Sequence, residues 1–253
     1  MPDPLLLSLG LLVGTLVGLT GVGGGALLTP LLILVVGVRP VVAVGTDLAF
    51  AAITKLIGSW QHQRQGTSDR RLVCNLAVGS IPGALLGTQL VSQLAASHSA
   101  QADAFLAQGL GIMLLIAASA SLLRAAGFHV RSNVKADPGY VSTALLGFII
   151  GLLVGVTSIG AGSLLMAMLT LFYRKMPTAQ AVGADVMHGA VLASVAAIAH
   201  GSAGHVELPM LMSLLTGSLP GVLLGGWLCS RLPSRPLRVG IAAMLMITGV
   251  RLL

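Results

Sequence analysis

An all-α polytopic membrane protein built from two homologous halves is the fold class this sequence predicts, and three observations predict it. Charged residues make up 8% of the 253-residue chain and hydrophobic ones 55%, whereas a soluble domain carries about 25% charge. Apolar stretches long enough to cross a bilayer core recur from one end to the other. The second half repeats the motifs of the first in the same order. At 4%, aromatics are too scarce for the girdles of a membrane β-barrel, and the apolar runs are continuous rather than alternating, so the spans are helices.

Each half holds four apolar segments, roughly 4–36, 41–60, 72–95 and 104–124, then 140–173, 179–199, 208–229 and 235–253. The first segment of each half is too long for one plain span and is broken by glycines. "GLLVGTLVGLTGVGGGALL" from Gly10 matches "GFIIGLLVGVTSIGAGSLL" from Gly147. The second segments carry "AVGTD" (43–47) and "AVGAD" (181–185) and end in "HQRQG" (62–66) and "HGSAG" (200–204). The third segments carry "GSIPGALLG" (79–87) and "GSLPGVLLG" (217–225). Matched Asp, His and Pro positions are hard to obtain by chance among apolar sequences. The chain therefore divides into a first transmembrane repeat (1–126), a basic linker (127–138) and a second repeat (139–253). Internal repeats of this kind point to secondary transporters. The start, "MPDPLLLSLG", has no basic region before its apolar run and reads as the first membrane element.

The basic residues choose a topology. If all eight segments cross once, they divide seven against six between the two sides. If the broken first segment of each half instead dips in and returns, each half crosses three times and the halves are inverted. Arg64, Arg70, Arg71, Arg124, Arg131, Lys135, Arg174, Lys175, Arg231, Arg235 and Arg238 then share one side, with Arg39 and Arg251 opposite, eleven against two. A re-entrant second segment scores ten against three. The positive-inside rule favours an odd number of crossings per half without saying which segment dips. The net charge of +7 is thus an orientation signal, and nucleic acid is not an expected partner.

The glycine run at 20–25 lacks the Lys-Ser/Thr ending of a phosphate-binding loop. Two readings remain. Small residues let helices pack closely in a membrane. Alternatively, the run interrupts a helix at membrane depth, where non-helical backbone is tolerated only if buried in protein or lining a cavity. The freed N–H groups would then favour an anion. On that reading the candidate substrate-binding residues are Thr20, Gly21, Gly23, Gly24 and Gly25, with Thr157, Ser158, Gly160, Gly162 and Ser163 in the copy. Inversion would bring the two breaks together near the midplane.

Asp47 and Asp185 are either helix N-caps soon after a segment's entry or functional carboxylates, the default for an intramembrane acid. Lys55 lies eight residues after Asp47 and has Ala193 as its match; it pairs with Asp47, attracts the anion or snorkels to an interface. His188, three residues after Asp185, shares its helical face and is a candidate proton carrier. Asp47, Lys55, Asp185 and His188 are thus the candidates for charge tuning or proton coupling. His62 and His200 are expected at the interface. Pro82 and Pro220 each remove a helix hydrogen bond, and Gly79, Gly83 and Gly87 form a packing stripe. Cys74 and Cys229 are expected to be buried packing residues. No metal ligand set or cofactor motif is present, and no ATP-binding motif.

The stretches "GLTGVGGGALLTPLL" (18–32), "AVGTDLAF" (43–50), "GSWQHQRQG" (58–66) and "GSIPGALLG" (79–87), with their second-half copies, resemble the TauE/SafE family of membrane transporters over nearly the whole chain. The resemblance implies a small duplicated multi-pass transporter for sulfur-containing anions such as sulfite, sulfoacetate or thiosulfate. Family sequences often carry Ser after the AVGT element, where this chain has Asp47, and Asp185 in the copy. That departure adds negative charge near the anion path, and proton coupling is one way to reconcile it.

The expected function is a secondary transporter of the inner membrane, not an enzyme, that moves a small anion by alternating access. A passive anion channel is the second reading. An intramembrane serine hydrolase, with Ser158 or Ser163 as nucleophile and His188 or His200 as base, is the third. The partners expected are the small anion and the lipid bilayer, and a homodimer is compatible with the sequence.

Overall fold

The computed structural model describes residues 3–20, 25–67, 69–97, 99–125, 139–160, 162–173, 176–229 and 234–253. All regular structure among them is helical. In the first half α1 is Pro4–Thr20, α2 Gly25–Leu31, α3 Pro40–Arg64, α4 Arg70–Ser97 and α5 Ser99–Ala125. In the second, α6 is Tyr140–Thr157, α7 Ser163–Phe172, α8 Thr178–Ser202, α9 Leu208–Cys229 and α10 Ser234–Leu252. The wider-wound turn Leu32–Val36 prolongs α2. Both long first segments are therefore interrupted. The linker 126–138 and the glycines Gly21, Gly23 and Gly24 lie outside the described residues.

Six helices are long and apolar enough to cross a membrane among the described residues: Pro40–Arg64, Arg70–Ala96, Asp103–Leu122, Tyr140–Thr157, Ala179–Ser202 and Leu208–Gly225.

The glycine stripes explain how the helices meet. A Cβ on Gly79, Gly83 or Gly87 of α4 would land on the carbonyl oxygens of Ala144, Phe148 and Leu152 of α6. A Cβ on Gly147, Gly151 or Gly155 of α6 would land on those of Leu76, Ser80 and Ala84 of α4. The same relation joins α9 to α1: Gly217, Gly221 and Gly225 lie against Leu7, Leu11 and Thr15, and Gly10 and Gly14 against Leu214 and Ser218. The partner numbers rise together, so both pairs run parallel. With no hydrophobic force between helices in lipid, van der Waals contact between closely approaching backbones is what holds such pairs. Each pair joins one half to the other.

The equivalent helices α3 and α8 run antiparallel. Gly45 near the start of α3 abuts His205 just beyond α8, Gly183 near the start of α8 abuts Thr67 just beyond α3, and Gly58 meets Val186. α5 and α10 also cross antiparallel, with Gly111 against Gly249 and Leu253, and Gly249 against Leu115. The equivalent helices α3 and α8, and α5 and α10, therefore run in opposite directions.

The broken segments fold back. Leu28, Leu31 and Leu32 of the α2 segment cluster with Leu6, Leu9 and Val13 of α1, and with Ala43, Met210 and Leu211 near the starts of α3 and α9. The end of the α2 segment thus returns to the level where α1 begins. In the second half, Thr143 near the start of α6 shares a hydrogen bond with the Tyr173 hydroxyl just beyond α7. The arms are unequal: at 1.5 Å per residue α6 rises about 27 Å and α7 about 15 Å. The fold-back is not a short hairpin, because α6 is itself long enough to span.

These directions put Arg64, Arg70 and Arg71 at one end of the bundle and Arg39, bound to Asp103 at 3.0 Å, at the other. In a background with Cys74→Ser and Cys229→Ser, single cysteines at the exposed positions Gln65 and Ser202 are expected to label from opposite sides of the membrane. Labelling of both from one side would refute the arrangement.

Candidate functional site

The second break has a specific geometry. Ser158 closes α6 in the left-handed region at φ 60°, its N–H bonded to the Val154 carbonyl. Gly160 follows at φ 129°, a conformation open to glycine because it has no Cβ. Thr157 folds its hydroxyl back onto the Leu153 carbonyl at 2.7 Å and accepts the Ile159 N–H at 3.2 Å. It therefore caps the break rather than offering a free donor. Gly162 precedes α7, whose first residue is Ser163. The side chains of Thr20 and Ser163 lie outside the described residues, while Thr20 ends α1 and Gly25 begins α2.

Asp47 joins the two broken segments. Its Oδ2 accepts the Ser158 hydroxyl at 2.7 Å and the Thr29 hydroxyl of α2. Its Oδ1 is buried with no hydrogen-bond partner. The N-cap reading of both aspartates is overturned: α3 and α8 start at Pro40 and Thr178, with Arg39 and Pro177 as caps. Asp47 and Asp185 therefore sit two turns inside their helices, both buried. The duplication does not extend to their partners. In the matched sequences Ser158 corresponds to Gly21 and Thr29 to Met166, so Asp185 has neither hydroxyl.

Asp185 and His188 lie one turn apart on α8. Ser80 of α4 meets His188 Nε2 at 2.8 Å, while Asp185 Oδ1 and His188 Nδ1 are buried without a partner. Lys55 is also buried, so it does not snorkel to an interface. Lys55 lies on α3 one turn before Gly58, which meets Val186 of the facing antiparallel helix. From Asp47, Lys55 is eight residues on, or about 12 Å along the axis.

Three expectations fail. His200 is fully buried, not interfacial. Its Nε2 meets the Gly155 carbonyl at 2.9 Å and its Nδ1 meets His205 Nδ1 at 3.2 Å. The carbonyl can only accept, so in a neutral ring His200 donates through Nε2 and accepts through Nδ1. Burial first, and then Arg39, lowers the pKa of half-buried His205 in the loop beyond α8. His62 remains half-buried at its helix end, bonded to Thr67 at 2.9 Å. Cys74 is exposed rather than packed; the Cys229 side chain lies outside the described residues. The hydrolase pairings do not form among the described side chains either. Ser158 is spent on Asp47, His188 meets Ser80, and His200 meets a carbonyl and another histidine. The sequence reading missed Thr29 and Ser80. Each is a hydroxyl in a quoted motif, but neither its helix face nor its partner could be read from spacing.

A carboxylate held between two interrupted segments, with a second carboxylate, an imidazole and an ammonium on the facing helices, is a polar core built to handle charge inside a membrane. The family described as "Sulfite exporter TauE/SafE" matches residues 6–252. The chain is 41% identical to the probable membrane transporter protein YjnA of Bacillus subtilis, over 98% of each chain. It is 29% identical to the probable membrane transporter protein YdhB of the same organism over 96% of each. It is 24% identical to the probable membrane transporter protein MJ0441 of Methanocaldococcus jannaschii, over 99% of this chain and 95% of that one. No solved structure matches it. The chain belongs to the TauE/SafE family of multi-pass membrane transporters.

Proposed function

We propose that the protein is a secondary transporter that carries a small sulfur-containing anion, of the sulfite, sulfonate or thiosulfate class, across the inner membrane by alternating access. The observation that carries this reading is the Asp47 bridge. One carboxylate ties the returning arm of the first half, through Thr29, to the break of the second, through Ser158. Relative movement of the two broken segments must pass through that link. Discontinuous helices from two repeats converging on a buried polar site are the framework of alternating access. The backbone amides at the two breaks, apart from those of Ser158 and Ile159 that are already bonded within the chain, replace the anion's hydration shell, and Lys55 supplies positive charge along the path. The end bearing Arg64, Arg70 and Arg71 faces the cytoplasm.

Flux in proteoliposomes tests the reading, with sulfite, thiosulfate, sulfoacetate and taurine offered at two pH gradients. Accumulation of at least one of these anions above its external concentration is expected. Movement that stops at equal concentrations with the membrane potential clamped would establish a passive channel. Movement of none would remove the substrate class.

A further inference from the structure

Building on the transporter reading, we propose that Asp47, Ser158 and Thr29 form a binding site for a monovalent cation, sodium, at the second break, and that this ion crosses the membrane with the substrate anion.

Oxygens from three elements meet there. Ser158 closes α6 and Thr29 lies on α2; both hydroxyls bond Oδ2 of Asp47, on α3. Each hydroxyl gives its hydrogen to the carboxylate and keeps oxygen lone pairs to offer. Asp47 is fully buried, and its Oδ1 has no hydrogen-bond partner. Among the described residues no ion pair involves Asp47, Lys55 on the same helix included. A buried carboxylate oxygen left bare is costly, and a cation beside it removes that cost. Carboxylate and hydroxyl oxygens suit hard cations. One carboxylate with two neutral hydroxyls balances a single positive charge, whereas a divalent ion would leave a net charge buried.

The helix end favours the same charge. α6 stops at Thr157, so its last carbonyls have no partner within the helix. His200 takes that of Gly155; those of Val156 and Thr157 follow it in the final turn. This end carries the negative pole of the helix dipole, next to the serine that holds the carboxylate. In broken-helix transporters, half-helix C-termini and unwound carbonyls are where sodium is coordinated. The opposite pole of the break is the start of α7 at Ser163, which favours an anion. One break therefore offers a cation-favouring end and an anion-favouring end. Opposite charges held near each other inside a membrane attract, so binding of either ion strengthens binding of the other. Asp185 supplies the contrast. Its Oδ1 is also buried without a partner, but Gly21 and Met166 stand where the two hydroxyls would be, so its half lacks the set.

The site is tested by the melting temperature of the full chain in mild detergent, with sodium chloride exchanged for potassium chloride at constant ionic strength and pH. A rise that saturates with sodium is expected. Asp47→Asn is expected to lose it, Ser158→Ala and Thr29→Val to need about tenfold more sodium for half the rise, and Asp185→Asn to keep it. The readout is each variant's response to sodium, so a lower starting stability does not obscure it; should Asp47→Asn not fold, the wild type and the two hydroxyl variants carry the test. Equal melting of the wild type in the two salts, an unchanged sodium requirement in both hydroxyl variants, or a sodium response that survives Asp47→Asn would overturn the site. Coupling is tested by accumulation of radiolabelled thiosulfate in proteoliposomes, with valinomycin, nigericin and equal potassium holding the potential and the pH difference at zero. With one sodium ion per anion, a sodium gradient of about tenfold raises accumulation about tenfold. Accumulation that ignores the sodium gradient overturns the coupling. A sodium response in melting without flux of any of the four anions overturns the transporter reading and leaves the site standing.

Discussion

Leucine in place of Gly151 is expected to abolish the folded protein. Even a single added carbon at this position would stand 2.6 Å from the Ser80 Cα and 2.7 Å from its carbonyl carbon, and closer still to the oxygen. Those are backbone atoms of the facing helix, so no rotamer change relieves the clash. α4 and α6 would have to separate along a contact that Gly79, Gly83, Gly87, Gly147 and Gly155 also depend on. Overpacking in a yielding core costs roughly 1–3 kcal/mol; against backbone the cost is greater, in a protein whose total margin is about 5–15 kcal/mol. The check is the fraction of protein eluting as a monodisperse peak in mild detergent. Gly240→Leu is the control, since nothing lies within 4 Å of that position. Equal recovery of the two variants would contradict the packing.

Removing the carboxylate with Asp47→Ala is expected to destabilise the protein by about 1–3 kcal/mol, the cost of leaving buried hydroxyls without their acceptor. The Ser158 and Thr29 hydroxyls lose the one oxygen that both bond. Asp47→Asn retains an acceptor oxygen and is expected to cost less. The measurement is thermal stability in detergent for both variants and for Ser158→Ala. The combined Asp47→Ala and Ser158→Ala change should be less damaging than the sum of its parts, because the two side chains share one interaction. Wild-type stability in Asp47→Ala would show that the bridge holds nothing.

The segments, the duplication and both interruptions are legible in the chain, because span length and glycine placement are local properties. That the first segment of each half turns back was only one of two arrangements consistent with the basic residues. The clustering of Leu31 and Leu32 with Leu6, Leu9 and Val13 and the hydrogen bond between Thr143 and Tyr173 decide between them. What a helix face touches is not legible. Lipid tails are as apolar as a protein interior, so nothing about Cys74 marks it as exposed, and nothing about His200 marks it as buried. The partners of the glycine stripes are equally hidden, since any small-residue face fits several others. Asp47 was ambiguous for a different reason. An acid soon after Pro40 suits a helix cap as well as a buried site, and only the start of α3 at Pro40 separates the two.

The parallel pairing of α1 with α9, and of α4 with α6, has a consequence for how the chain is made. α1 leaves the ribosome well before α9, and its glycine-matched surface lies about two hundred residues downstream. During most of synthesis α1 must wait in the bilayer with Gly10 and Gly14 unmatched, exposed to lipid or to whatever insertion factor holds it. α4 waits only for the next helix after the linker. Assembly is therefore staggered, with the α4–α6 contact closing early and the α1–α9 contact closing late. Contacts this distant in sequence are slow to form, and an intermediate of this kind is open to mispairing with a neighbouring chain.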